Sequence, residues 1–117
     1  MAGGRVLPRP GGDRHPRMAM GIDAGERWLF CVVVDGRQPG YSAGMTMREL
    51  ADFMAGLRCH RAINLDGGGS SILLAANPRG KLEVANRPSD SPRRPLPILL
   101  GVRMREDSAR SAIPQPR

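Results

Sequence analysis

Hydrophobic positions in this chain fall into short blocks, set apart by glycine, proline and aspartate. The first block, Met18-Ala19-Met20-Gly21-Ile22-Asp23, predicts a strand, and Asp23-Ala24-Gly25-Glu26 predicts a turn. Residues 27–34 form a second strand. Its unbroken run from Trp28 through Val34 is the pattern of a strand buried on both faces. Asp35-Gly36 ends that strand, and 37–43 is a loop with Pro39 and Gly40. The periodicity then becomes helical. Thr46 and Glu49 stand at capping-box spacing. Leu50, Phe53, Met54 and Leu57 recur at i, i+3, i+4 and i+7, which gives a helix one apolar stripe for the core.

Past the helix, 61–65 predicts a strand that runs into the glycine-rich stretch Asp66 to Ser71, and 71–76 predicts one leaving it. Asn77-Pro78-Arg79-Gly80 reverses the chain into a strand over 81–85. A polar, proline-bearing loop spans 86–95, and the apolar block 96–104 predicts a last strand. The order β-β-α-β-β-β-β describes an α+β fold, a mixed, mostly antiparallel sheet with one main helix packed on it. Residues 1–14 and 105–117 are rich in Gly, Pro and Arg or otherwise polar, and are expected to be disordered tails around one domain, 15–104. A segment of that size builds only a moderately stabilising core. With one Trp, one Tyr and two Phe in the chain, that core must be aliphatic.

Charge changes the picture little. The formal net charge is +7, and Lys81 is the one lysine, so the excess is arginine. These arginines are scattered, many lie in the tails, and no aromatics are interleaved for base stacking, so nucleic acid is a poor fit as a partner. Cys31 and Cys59 make no disulfide framework or metal pattern. His15 and His60 lack partners at ligand spacing and read as ordinary surface or core histidines; no metal or other cofactor is called for. The basic N-terminus has no apolar segment of signal-peptide type after it, and no stretch approaches membrane-spanning length. The product as written is therefore expected in the cytoplasm, without a membrane partner. A longer N-terminus carrying a leader would place it outside the cell or in the envelope. Nothing in the sequence bears on oligomeric state.

Candidate chemistry concentrates in three polar clusters: His15-Pro16-Arg17, Asp66 to Ser71, and Asn86-Arg87-Pro88-Ser89-Asp90. Arg17 and Arg87 can hold phosphate oxygens in a bidentate fork. Successive amides of Gly67, Gly68 and Gly69 can form an anion nest, to which Ser70 and Ser71 add hydroxyls. Asp66 and Asp90 are the carboxylates available for base work or for sugar hydroxyls, and Asn64, Asn86 and Ser89 supply further polar groups. A glycine-rich turn with Asp66 as its cap is the plain alternative. A Walker loop is excluded because no Lys follows the glycines. A nucleophile elbow is excluded because Gly68-Gly69-Ser70-Ser71-Ile72 ends in Ile, which leaves Ser70 to donor or capping work.

Three stretches carry a resemblance: Gly40-Tyr41-Ser42-Ala43-Gly44-Met45-Thr46-Met47-Arg48-Glu49-Leu50-Ala51, Ala62-Ile63-Asn64-Leu65-Asp66-Gly67-Gly68-Gly69-Ser70-Ser71, and Val84-Ala85-Asn86-Arg87-Pro88-Ser89-Asp90. Together with the upstream His15-Pro16-Arg17 they resemble the phosphodiester glycosidase family, which includes the catalytic domain of the lysosomal uncovering enzyme. The resemblance runs from about Arg14 to Met104 and covers the C-terminal part of the family's domain. Nothing in 1–14 resembles the family's N-terminal half, and Met18 stands where the family carries Thr. The resemblance implies hydrolysis of the bond between an anomeric carbon and a phosphodiester oxygen, in a sugar-phosphate or glycan-phosphodiester of a carbohydrate or exopolysaccharide pathway. Arg17, Arg87 and the glycine amides would then hold phosphate, and Asp66 or Asp90 would aim water or stabilise an oxocarbenium-like state. The alternative is a truncated remnant that binds sugar phosphate or polysaccharide without turnover, or that completes a partner protein.

Overall fold

A computed structural model describes residues 12–90, 95, 96 and 98–105 of the chain. The fold is α+β. Strand β1 (Arg17–Asp23) is central in a three-stranded antiparallel sheet, with β2 (Leu29–Val34) on one side and β3 (Cys59–Asn64) on the other. Helix α1 (Met47–Gly56) lies between β2 and β3 in sequence. A separate antiparallel hairpin, β4 (Leu74–Ala76) and β5 (Leu82–Val84), follows.

Local chemistry explains these elements. The turn from β1 to β2 is closed by Asp23, whose Oδ1 accepts from the amides of Arg27 and Trp28, each at 2.8 Å. Those amides, Trp28's above all, hold the Asp23 carboxyl below the usual range. Helix α1 opens with the expected capping box: Glu49 N donates to Thr46 Oγ1 at 3.1 Å, and Thr46 N donates to Glu49 Oε2 at 2.8 Å. Arg14 pairs with the same Glu49 carboxylate. The helix ends at Leu57, and Arg58 takes the left-handed conformation (φ 66°) that turns the chain back towards β3.

Ala19, Leu50, Met54 and Cys59 form the core, with Phe30, Val32, Val34, Met45, Leu57 and Ala62 packed around them. Strand side chains alternate between faces, so this core occupies the helix side of the sheet. The other side carries Leu29, Cys31 and Ile63, all exposed.

Four expectations need correction. Among the described residues β2 is an edge strand that turns Phe30, Val32 and Val34 to the core and leaves Leu29 and Cys31 exposed, so it is not buried on both faces. Phe53 is 44 % exposed because only the Leu50–Met54 edge of the helical stripe faces the sheet. The strands form two antiparallel sheets rather than one mixed sheet. The described residues of 96–104 form no strand: Ile98, Leu99, Leu100, Val102 and Met104 are exposed, and Pro95, which has no N–H to donate, precedes them. The tails expected over 1–14 and 105–117 lie largely outside the described residues. Among the described residues no helix is long and apolar enough to cross a membrane.

Candidate active site

Antiparallel pairing on both sides of β1 decides where the polar clusters meet. The start of β1 lies beside the end of β2 (Arg17 opposite Val34) and beside the end of β3 (Ala19 opposite Asn64). Three segments distant in sequence therefore converge at one end of the sheet: His15-Pro16-Arg17, Asp35-Gly36-Arg37, and the glycine run. Backbone bonds lock them. Leu65 N donates to Met18 O (2.8 Å), Gly68 N to Pro16 O (3.0 Å), and His15 and Met45 exchange a pair of bonds (3.2 and 3.0 Å) that bring in the helix N-terminus.

The glycine run folds as a single 3-10 turn, Gly68–Ser70. Ser70 N and Ser71 N donate back to Gly67 O and Gly68 O, each at 3.1 Å. Of the three glycine amides expected to face an anion together, that of Gly68 is engaged by Pro16 O, and the bonds that close the turn come from Ser70 N and Ser71 N. Glycine is required here for close approach. A Cβ at Gly68, where φ is +60°, would lie 3.1 Å from an Arg37 guanidinium nitrogen, and one at Gly69 would lie 2.5 Å from Asp90 Oδ1.

A cleft of about 440 Å³ opens on this turn, lined by His15, Arg17, Arg37, Asp66, the three glycines and Ser70. Asp66 is exposed, and its carboxylate has no hydrogen-bond or ion-pair partner among the described residues. Arg17 is partly engaged: its Nε donates to Met45 O (2.9 Å) and one Nη to Asp13 O (3.1 Å). Arg37 Nη2 meets His15 Nδ1 at 3.3 Å. Arginine can only donate, so in any hydrogen bond at this contact Nδ1 is the accepting nitrogen.

Of the residues singled out from sequence, Asp66, Arg17, Gly67, Gly68, Gly69 and Ser70 share this cleft, and Asp90 rests against its floor at Gly69. The others stand elsewhere. Asn64 is exposed at the end of β3. Ser71 is buried, and neither its hydroxyl nor that of Ser89 has a partner among the described residues. Asn86 is a brace: Oδ1 accepts from Leu73 N (2.9 Å), and Nδ2 donates to Ser71 O (2.8 Å) and Asp35 Oδ1 (3.0 Å). The Arg87 guanidinium lies over the Tyr41 ring, 4.4 Å from its centroid.

Sequence reasoning gave no role to three residues that matter here. Arg37 and His15 line the cleft. Asp35 holds the third cluster in place by accepting from Asn86 Nδ2, from Arg87 N (3.0 and 3.1 Å) and from Tyr41 Oη (2.7 Å). That bond to Asp35, chiefly, raises the Tyr41 hydroxyl above its ordinary pKa. The available signal was an arginine directly after Asp35-Gly36, at a strand end that antiparallel pairing places beside His15-Pro16-Arg17.

The α+β scaffold thus gathers guanidinium groups, the exposed Asp66 carboxylate and a glycine turn at one end of the sheet. The family model described as phosphodiester glycosidase matches residues 2–103, and the chain belongs to that family. No curated protein matches it.

Proposed function

We propose that this chain hydrolyses a glycosyl-1-phosphodiester, releasing free sugar and a phosphate monoester. The observation that carries the reading is the presence, in one cleft, of the exposed Asp66 carboxylate beside guanidinium groups and the glycine turn. Asp66 accepts a proton from water as the water oxygen bonds to the anomeric carbon. The bond from that carbon to the phosphodiester oxygen breaks, and its electron pair leaves with the phosphate. A phosphate monoester is a good leaving group, so positive charge on the cleft wall matters more than a strong general acid. Asp90, held against Gly69, is the second carboxylate at this floor. The test is release of reducing sugar from UDP-N-acetylglucosamine and from other glycosyl-1-phosphodiesters, with Asp66→Asn as the paired variant.

One observation favours a second reading, in which the chain completes a partner that carries the rest of a catalytic domain: among the described residues the sheet face opposite the helix is uncovered, with Leu29 and Ile63 exposed and Trp28 exposed beside them. On that reading the isolated chain binds sugar phosphate, seen as thermal stabilisation, without turnover.

A further inference from the structure

The two edges of the three-stranded sheet are protected differently. An edge strand leaves a row of unpaired backbone groups, and folds guard such rows with charged side chains, proline or bulges. β3 is guarded: it carries His60 and Arg61, and its register with β1 shifts between Ile22 and Asp23. β2 is not. Leu29–Val34 contains no charged residue and no proline, its register with β1 is unbroken, and among the described residues no strand lies on its outer side. We propose that β2 pairs antiparallel with β2 of a second copy of this chain, joining the two sheets into one. Such pairing is independent of catalytic activity.

Sheet geometry fixes the register. Asp23 N donates to Trp28 O (3.3 Å), and β1 and β2 pair without a break from Ile22 opposite Leu29 to Arg17 opposite Val34. Bonding to one neighbour involves alternate residues of a strand, so Phe30, Val32 and Val34 turn their backbone groups to β1. Leu29, Cys31 and Val33 therefore present their N–H and C=O groups outward. One antiparallel register uses them all: Leu29 opposite the partner's Val33, Cys31 opposite the partner's Cys31, and Val33 opposite the partner's Leu29. Directly opposed residues share a face of the sheet. This register accordingly sets Phe30, which packs on the core side, opposite the partner's Val32.

The flanking residues agree with the same register. Trp28 falls opposite the partner's Val34, and Arg27 opposite the partner's Asp35. Trp28, 64 % exposed, gains a β-branched neighbour. Arg27 and Asp35 carry opposite charges and meet at both ends of the paired strands, which offsets part of the repulsion between two chains of net charge +7. The contact is isologous and closes at two copies, and the joined sheet then ends on either side at the guarded β3.

Sedimentation equilibrium of the full chain, from micromolar to submillimolar loading, should show a species of twice the 12.7 kDa chain mass. Cys31 is exposed, so Cys31→Lys should keep the wild-type circular dichroism, yet it sets like charges directly opposite each other and should sediment as monomer. Ile63→Lys, at an exposed position on β3, should remain dimeric, whereas packing of two open sheet faces would be broken by it. Cα atoms of a hydrogen-bonded antiparallel pair lie ~5.5 Å apart, within the ~4.4–6.8 Å that a disulfide spans. Diamide, which takes two electrons and two protons from a pair of thiols, should therefore link wild-type chains into a covalent dimer on a non-reducing gel. Cys59 is buried and out of reach, so Cys31→Ser should not cross-link but should still sediment as a dimer. A chain that stays monomeric throughout, a dimer that survives Cys31→Lys, or one that Ile63→Lys dissociates overturns the inference. A wild-type dimer that diamide fails to cross-link overturns it as well, because the register then does not bring the Cys31 residues together.

Discussion

Replacing Asp35 by Asn should loosen the third polar cluster and change the titration of Tyr41 at the same time. Asp35 is the common acceptor for Asn86 Nδ2, Arg87 N and Tyr41 Oη. The amide side chain would keep one carbonyl oxygen but present an NH₂ in place of the second. The part-buried bond from Asn86 is the one to weigh. A hydrogen bond to a charged group contributes about 1.5–3 kcal/mol and a neutral one about 0.5–1.5, so Asp35→Asn should lower stability by about 1–1.5 kcal/mol in urea melts. Tyr41 is the only tyrosine in the chain, so tyrosinate absorbance reports it without assignment. Its pKa is raised first by the bond to Asp35, with the carboxylate's charge adding to the effect. A raised native pKa means the bond's contribution is complete below the unfolded value of ~10 and is lost as pH rises through the native one. In Asp35→Asn the titration should fall back towards ~10. Identical tyrosinate curves in the two proteins, with identical urea midpoints, would refute the claim that Asp35 anchors this loop.

Other outcomes follow from the same contacts. Gly69→Ala has no positive φ to oppose it, so the fold should hold, but the new Cβ would overlap Asp90. A displacement of about 1 Å should slow sugar release by about a hundredfold, and wild-type rates would remove Asp90 from the site. Met54, 1 % exposed, fills the centre of the core, and Met54→Ala should cost about 2–5 kcal/mol in denaturant melts. The Glu49 carboxyl is lowered first by the Thr46 amide and then by Arg14. Its stabilisation is therefore complete above the unfolded value of ~4.3 and is lost as pH falls through the lowered native one, so Glu49→Gln should flatten the stability profile in that acid range.

How far the sequence could be read depended on whether a signal was local. The Thr46/Glu49 box, the start of β1 and the Asn77 to Gly80 reversal are written within a few residues, and all are formed. Edge and interior strands are not distinguished that way: Trp28 through Val34 looks like a buried strand, yet only the pairing order makes β2 an edge. Similarly, the apolar block 96–104 carries strand-forming residues, but a strand needs a neighbour, and that is a tertiary fact. At the site, Asp66 and the glycines were legible because a carboxylate before three glycines is unusual in itself. Arg37 and Asp35 were not, because one arginine among 17 and one aspartate at a strand end acquire meaning only when antiparallel pairing sets them beside Pro16 and the 86–90 loop. Arg87 and Asn86 differ again: their chemistry suits a ligand, and in the fold it is engaged within the protein, on Tyr41, Ser71 and Asp35.

The central claim is that Asp66, in a cleft walled by arginine, drives cleavage of a glycosyl-1-phosphodiester. Sugar release from UDP-N-acetylglucosamine and a panel of glycosyl-1-phosphodiesters, by wild type and by Asp66→Asn of matched melting temperature, tests it most directly. Turnover by the wild type and a loss of about 10²–10⁴-fold in the variant are expected. Equal rates in the two proteins, or none from a folded wild type, would contradict the claim.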